Sequence, residues 1–293
     1  GFHTELEAVY EEYNIGLTSD WRKMYAALFA KLFPTHPYGT QTTIGLGEHL
    51  KNPSITNIKN YFNKYYVPNN VAICLSGDLN PDETVAIIEK YFGTWKPSSH
   101  IDVPQFPVQP ALTAPVDTTV IGKEAPTFFM GWRADAGKSL QMDTLEIVAQ
   151  LLSNGQAGLF DLNLNQKLKV QEVGSGVADM DEYSVFYIYG QPKSGQTLQE
   201  ARALALSEIE KLKKGEFSDD LLPSIINNYK RYYYTQLDNN QFRAKQYVDA
   251  FINHKDWKQE VDKLNRISKL TKPELVRFAN QFFGNNFACV YKE

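Results

Sequence analysis

The sequence predicts an α+β protein made of two tandem, homologous blocks, the first of them incomplete on its N-terminal side. Three observations point there. Helix signals alternate with a few short apolar runs of strand character. A proline-rich stretch, residues 98–116, separates residues 1–97 from residues 117–293. Sliding the chain by 216 residues lays Phe62 on Phe278, Asn69-Asn70 on Asn285-Asn286 and Ala72 on Ala288, so helix, Asn-Asn turn and apolar strand recur at the end of each block. A repeat of so long a period signals duplicated domains rather than a solenoid.

With 43% hydrophobic and 22% charged residues over 293 positions, the chain has the make-up of a globular protein long enough for two domains. The net charge of −4 and the lack of any basic cluster argue against nucleic acid or an anionic membrane surface as partner. No apolar run approaches the roughly 18 residues of a membrane span. Cys74 and Cys289 each sit inside an apolar run. They form neither a disulfide framework nor a metal-binding spacing, and they read as buried thiols.

In the first block, Ser19 or Asp20 caps a helix from Trp21 to Phe33, with Met24, Leu28 and Leu32 at helical spacing; Thr35-His36-Pro37-Tyr38-Gly39 breaks it. Pro53-Ser54 opens a helix through Ile58, Tyr61, Phe62 and Tyr65, ended by Pro68-Asn69-Asn70. Val71–Leu75 follows as an expected buried strand, and Asn80-Pro81-Asp82-Glu83 starts one more helix, ended at Gly93. A lone buried strand cannot satisfy its own backbone donors and acceptors. Its sheet must come from the second block, from residues beyond this sequence, or from another chain.

Five prolines between Lys96 and Val116 preclude helix or central strand, while the interleaved Ile101, Val103, Phe106 and Val108 suggest an extended linker lying along a surface. The second block opens with strands near Thr118–Gly122 and Thr127–Trp132. A helix through Met142 and Leu151, a flexible loop at Asn154–Gly158 and a helix through Phe160 and Leu168 come next. Strands at Val170–Val177 and Tyr183–Gly190 precede helices over Leu198–Lys213 and Ser218–Leu237, with others through Asn253 and Leu264. Helix Lys272–Phe283 and strand Phe287–Tyr291 close the chain. The loop at 154–158 carries no phosphate-binding signature.

The candidate chemistry lies at the start of the chain. Thr4 and Glu7 form a capping box, which places a helix start at Thr4. Along that helix Glu5 and Glu12, seven residues apart, fall within about 20° of each other and share a face with Ala8 and Val9. Glu7 and Glu11 point the other way. A carboxylate pair on an apolar face calls for a cation or a hydrogen-bond donor. Two readings stand: a solvated acidic helix, or Glu12 as a metal ligand supported from behind by Glu5. A catalytic zinc takes three protein ligands. None of His3, His36, His49, His100 and His254 pairs with another at ligand spacing on one helix, and neither His-x-x-Glu-His nor His-Glu-x-x-His occurs. The chain contains no complete metal site.

Glu5-x-x-Ala8-Val9-x-x-Glu12 resembles the segment of the pitrilysin/insulinase (inverzincin) zinc peptidases that carries the third zinc ligand. In the family's order follow His36-Pro37-Tyr38-Gly39, Ile58-x-x-Tyr61-Phe62-x-x-Tyr65-Tyr66-x-Pro68-Asn69-Asn70, Ser76-Gly77-Asp78-Leu79 and Tyr91-Phe92-Gly93. Leu151-Leu152-Ser153-Asn154-Gly155 and Gly158-Leu159-Phe160 resemble the loop and helix start of the family's second domain, so the resemblance spans nearly the whole chain.

The resemblance implies tandem α/β-sandwich domains, only the first of which bears metal. It makes Glu12 the zinc-ligand position, with Glu11 as rival, and Glu5 its supporting partner. The two histidines and the general base would come from an upstream His-x-x-Glu-His that this chain starts too late to include. The repeat agrees with that asymmetry: the helix from Ser218 offers Asp219 near the Glu5 position but Ile226 or Asn227 near that of Glu12. The implied function is part of a zinc-dependent metalloendopeptidase that cleaves peptides in an enclosed chamber. This piece would be inactive alone, supplying one zinc ligand of three. Asn154, Gly155 and Gly158 would lie near the peptide. The partners would be the peptide substrate and the remainder of the same protein, or a homologous subunit, closing the chamber. The alternative is a non-catalytic peptide-binding or scaffold homologue of the same fold.

Overall fold

The computed structural model describes residues 2–293. Helices α1 (Phe2–Thr18), α2 (Asp20–Leu32), α3 (Pro37–Thr40), α4 (Gly47–Lys51), α5 (Ile55–Tyr65) and α6 (Pro81–Phe92) come first. The strands β1 (Val116–Val120) and β2 (Thr127–Ala134) lead into α7 (Gln141–Leu152), then β3 (Glu172–Ala178) and β4 (Ser184–Gln191). Helices α8 (Leu198–Lys214), α9 (Leu221–Leu237), α10 (Asn240–Ile252), α11 (Trp257–Ser268) and α12 (Lys272–Phe282) precede the last strand, β5 (Phe287–Lys292). The strands make one sheet in the order β1-β5-β2-β4-β3; only β1 and β5 are parallel.

Successive strand residues face opposite sides, and both sides of this sheet are covered. Phe128, Met130 and Trp132 of β2, Phe186 and Ile188 of β4 and Cys289 of β5 pack against Leu145 and Val148 of α7, Ala205 and Ile209 of α8 and Leu275 of α12. The intervening residues, Phe129, Val185, Ala288 and Val290, meet Met24, Leu28, Phe29, Leu32 and Phe33. Helix α2 thus belongs physically to the sheet of the C-terminal block, although it lies about a hundred residues upstream of it in sequence. The linker is laid down along the same region: Gln109 is buried, bonding Thr35 through its side chain, and Leu112 joins the α2 face of the core.

The start of α2 is fixed by charge as well as by packing. Ser19 Oγ accepts the Arg22 N–H at 3.3 Å and caps the helix. Asp20, the first helical residue, accepts the backbone N–H groups of Lys123 at 2.6 Å and Glu124 at 2.8 Å, with Lys292 Nζ 3.5 Å away. Asp20 and Lys292 are each 1% exposed. A Cβ at Gly122 would strike the Asp20 carboxylate and Lys292 Cδ, so glycine is required where this loop closes over the pair. The Glu124 N–H, aided by that of Lys123 and by Lys23, outweighs burial and holds the Asp20 carboxyl at about 2.

Three sequence expectations change. Helix α1 begins at Phe2 rather than Thr4, and the two added residues move the orphan N–H groups upstream of those that a capping box would serve. The expected helix through Phe160 and Leu168 is a single π turn, Asp161–Asn165, and Leu168 has a φ of 50°. Val71–Leu75 is neither a strand nor buried. It is unpaired with any of the five strands, and Ile73 and Leu75 are 45% and 52% exposed. Its counterpart across the repeat, β5, lies between β1 and β2, so a run of this kind becomes a strand only when a neighbouring strand supplies partners.

Leu28→Ala should cost about 2–5 kcal/mol in denaturant unfolding, because Leu28 is fully buried between α2 and the sheet. Asp20 has a folded pKa below its unfolded value of about 3.9, so its contribution to stability is present above about pH 4 and is lost as pH falls towards about 2. Asp20→Asn should lower the melting temperature at neutral pH and flatten its decline in acid. An unchanged acid profile would remove Asp20 from the clamp. Burial pushes the Cys289 thiol up to about 12, so a thiol reagent at pH 8 should label the partly exposed Cys74 and spare Cys289.

Candidate functional site

Glu5 and Glu12 both lie exposed on α1, and neither forms an ion pair among the described residues. The face that carries them turns to solvent rather than into a core of the described residues. Glu11 is exposed too. What holds α1 is its C-terminal half: Tyr13 packs so closely on Gly47 of α4 that a Cβ there would lie 2.9 Å from Tyr13 Cε1, and Ser19 N–H bonds Gly16 O at the turn into α2. The two carboxylates therefore project from a helix whose far end is tied to the Asp20 clamp.

Among the described residues no histidine pairs with either carboxylate. His36, the buried one, stands among Phe33, Tyr38, Phe106 and Tyr183. Its Nδ1 accepts the Tyr38 N–H at 3.2 Å, which leaves Nε2–H to donate to Glu182 Oε2 at 2.9 Å. It joins the α2–α3 corner to the β3–β4 turn. Among the described residues no group of three His, Cys, Asp or Glu side chains could hold a metal ion.

The loop at 154–158 is pinned rather than flexible. The buried carboxylate of Asp161 accepts the N–H groups of Asn154 at 2.9 Å and Gly158 at 3.0 Å. Asn154 Oδ1 accepts from Gln156 and Ala157, and its Nδ2 donates to Gln150 O, so this side chain is engaged within the loop. Gly155 has a φ of 79° and open space around it, whereas a Cβ at Gly158 would lie 2.5 Å from Leu152 O. The sequence signal was an aspartate three residues after a glycine, the reach of a side chain folding back onto its own loop.

Two further features had no sequence signal. One is the outer edge of β3, which ends the sheet. Asn165 covers Val173 there, donating from Nδ2 to Val173 O and accepting the Val173 N–H, both at 2.9 Å. Backbone groups two residues apart face the same way along a strand, so the N–H and C=O of Ser175 and Val177 share that edge, where no strand of the described residues pairs with them. The other is a cleft of about 640 Å³ between the linker and the turn from β2 to α7. Arg133 reaches it from the α2 side of β2, donating from Nη2 to Pro110 O at 2.6 Å above the Phe33 ring. Burial lowers the pKa of this guanidinium.

Asp161→Ala should leave the fold standing but speed amide exchange at Asn154 and Gly158, while Gly158→Ala should lower the melting temperature. Unchanged exchange in the first variant would mean that the loop holds itself without the carboxylate.

The family described as the peptidase M16 inactive domain matches residues 54–229, more than half of the chain. The zinc protease PqqE of Helicobacter pylori is 24% identical over 266 residues; the match takes in 89% of this chain and 59% of that protein, so the chain spans well under two thirds of its relative. Among solved structures, a protease from Helicobacter pylori superposes with a TM-score of 0.92 at 23% identity, over 100% of this chain and 72% of that one. The M16 inactive domain from Pseudomonas fluorescens gives 0.84 at 15% identity, over 99% of this chain and 69% of that one. The periplasmic protease PqqL of Escherichia coli gives 0.78 at 13%, over 99% and 34%. At these identities the superpositions speak for the fold, which is the mixed α/β fold of M16-like proteins. The sequence match over residues 54–229 carries the assignment: the chain belongs to the peptidase M16 family through its inactive domain.

Proposed function

We propose that this chain is the part of a zinc-dependent metallopeptidase that contributes one metal ligand, Glu12, and one wall of the peptide-binding chamber. The observation that carries this reading is the presentation of Glu12. It shares its helix face with Glu5, has no ion-pair partner among the described residues, and projects from a helix whose C-terminal end adjoins a buried charge clamp. A side chain meant to complete a site held by other residues needs such an outward, positioned carboxylate. The described residues do not fit a zinc centre by themselves, since they offer no group of three donors. No catalytic step is therefore assigned to this chain, and the remaining ligands would come from an His-x-x-Glu-His outside this sequence.

The unpaired Val71–Leu75 run fits the same proposal. Its counterpart β5 has one parallel and one antiparallel neighbour, and the first of two tandem domains would supply both to Val71–Leu75. The wall of the chamber would be the outer edge of β3, where Ser175 and Val177 can hydrogen-bond an extended peptide as an added strand. Gly155 and Gly158 would bring backbone rather than side chains to its rim. The second reading, a peptide-binding homologue without catalysis, is favoured by the match to an inactive-domain family.

The test is a longer protein that includes the upstream segment. Glu12→Gln should abolish peptide hydrolysis there, and Glu11→Gln should leave it nearly unchanged. A dead Glu11 variant would move the ligand by one residue. Hydrolysis that survives Glu12→Gln, or an upstream segment without His-x-x-Glu-His, would leave the second reading.

A further inference from the structure

The charged groups that border the cleft at Arg133 are unequally engaged. Two acids border it, and both are engaged: Glu182 receives the His36 Nε2–H, and Asp135 Oδ2 receives the Ser139 hydroxyl at 3.1 Å. Two cations border it, and neither has a carboxylate partner among the described residues. Lys138 is exposed at the rim. Arg133 is half-buried on the floor, where Pro110 O takes one donor of a guanidinium that has five. No nitrogen of Arg133 is sealed from solvent without a partner, and the residue lines the cleft, so donors remain for a ligand there. Tyr183 adds another: its hydroxyl oxygen already accepts the Gln109 N–H, leaving its proton to give.

From this geometry we infer that the cleft binds the α-carboxylate end of a peptide, with Arg133 gripping the carboxylate. Two parallel N–H···O bonds from a planar guanidinium match a carboxylate in shape as well as charge. The walls beside it are apolar, Leu112, Ala134 and Ala136, and suit a short apolar C-terminal side chain. A phosphate ion could use the same guanidinium but would leave the apolar wall formed by Leu112 and the alanines without a partner, which the side chain at a peptide's end supplies. The assignment rests on the reading of this chain as a peptide-handling protein, but it concerns a different surface from the edge of β3.

The probe is N-acetyl-alanyl-alanine, compared with its C-terminal amide and with inorganic phosphate, titrated against the 293-residue protein by NMR. The acid should bind in the millimolar range and at least tenfold tighter than the amide. Arg133→Gln, which keeps a donor for Pro110 O, should weaken the acid about tenfold, and Lys138→Ala at the exposed rim should weaken it a few-fold. Equal binding of acid and amide, or full binding by Arg133→Gln, would overturn the assignment; so would phosphate binding tighter than the peptide acid. The acid–amide comparison needs no variant and does not depend on folding of a mutant. A longer protein that hydrolyses no peptide yet keeps the acid–amide difference would sink the peptidase reading and leave this site standing.

Discussion

The buried carboxylate of Asp20 is the point on which the parts of this chain converge. It opens α2, receives the N–H groups of the turn after β1, and faces Lys292 at the end of β5. Three segments distant in sequence are thereby held in one place. A charge pair as buried as this one is costly to break, and the fold surrounds it with compensation: two backbone donors, a second lysine and a glycine that makes room. Because the pair sits at the mouth of α2, it sets where the apolar stripe of that helix meets the sheet and where α1, one residue upstream, departs from it.

The sheet explains why α2 is recruited across the linker. Its central strands are apolar on both faces, and helices of the C-terminal block cover only one. The second face would lie open without Met24, Leu28, Phe29 and Phe33. The helices α5 and α6 and the Val71–Leu75 run obtain no such cover, and Ile58, Phe62, Val85 and Tyr91 stay exposed.

Much of the fold was legible because its signals are local. All five strands of the sheet were expected within a few residues, and Ser19 caps α2 as the sequence suggests. The proline-rich linker does lie along a surface. What could not be read was long-range. Nothing near Met24 says which sheet will take its stripe, and Val71–Leu75 has the composition of a buried strand whether or not neighbours exist. The rigidity of the 154–158 loop came from Asp161, whose role depends on the loop folding back. The spacing of Glu5 and Glu12 placed them correctly on one face of α1, but periodicity alone could not say that this face meets solvent. Arg133, one residue past the expected strand, carried no local signal; only the fold brings Pro110 and Phe33 around it.

The central claim concerns one carboxylate and one metal. Anomalous diffraction at the zinc edge, from crystals of a longer protein containing the upstream segment, tests it directly. The expected result is a single peak with a Glu12 carboxylate oxygen about 2.0–2.2 Å away and Glu5 behind it. A peak coordinated without Glu12, or no peak in zinc-loaded crystals, would contradict the claim.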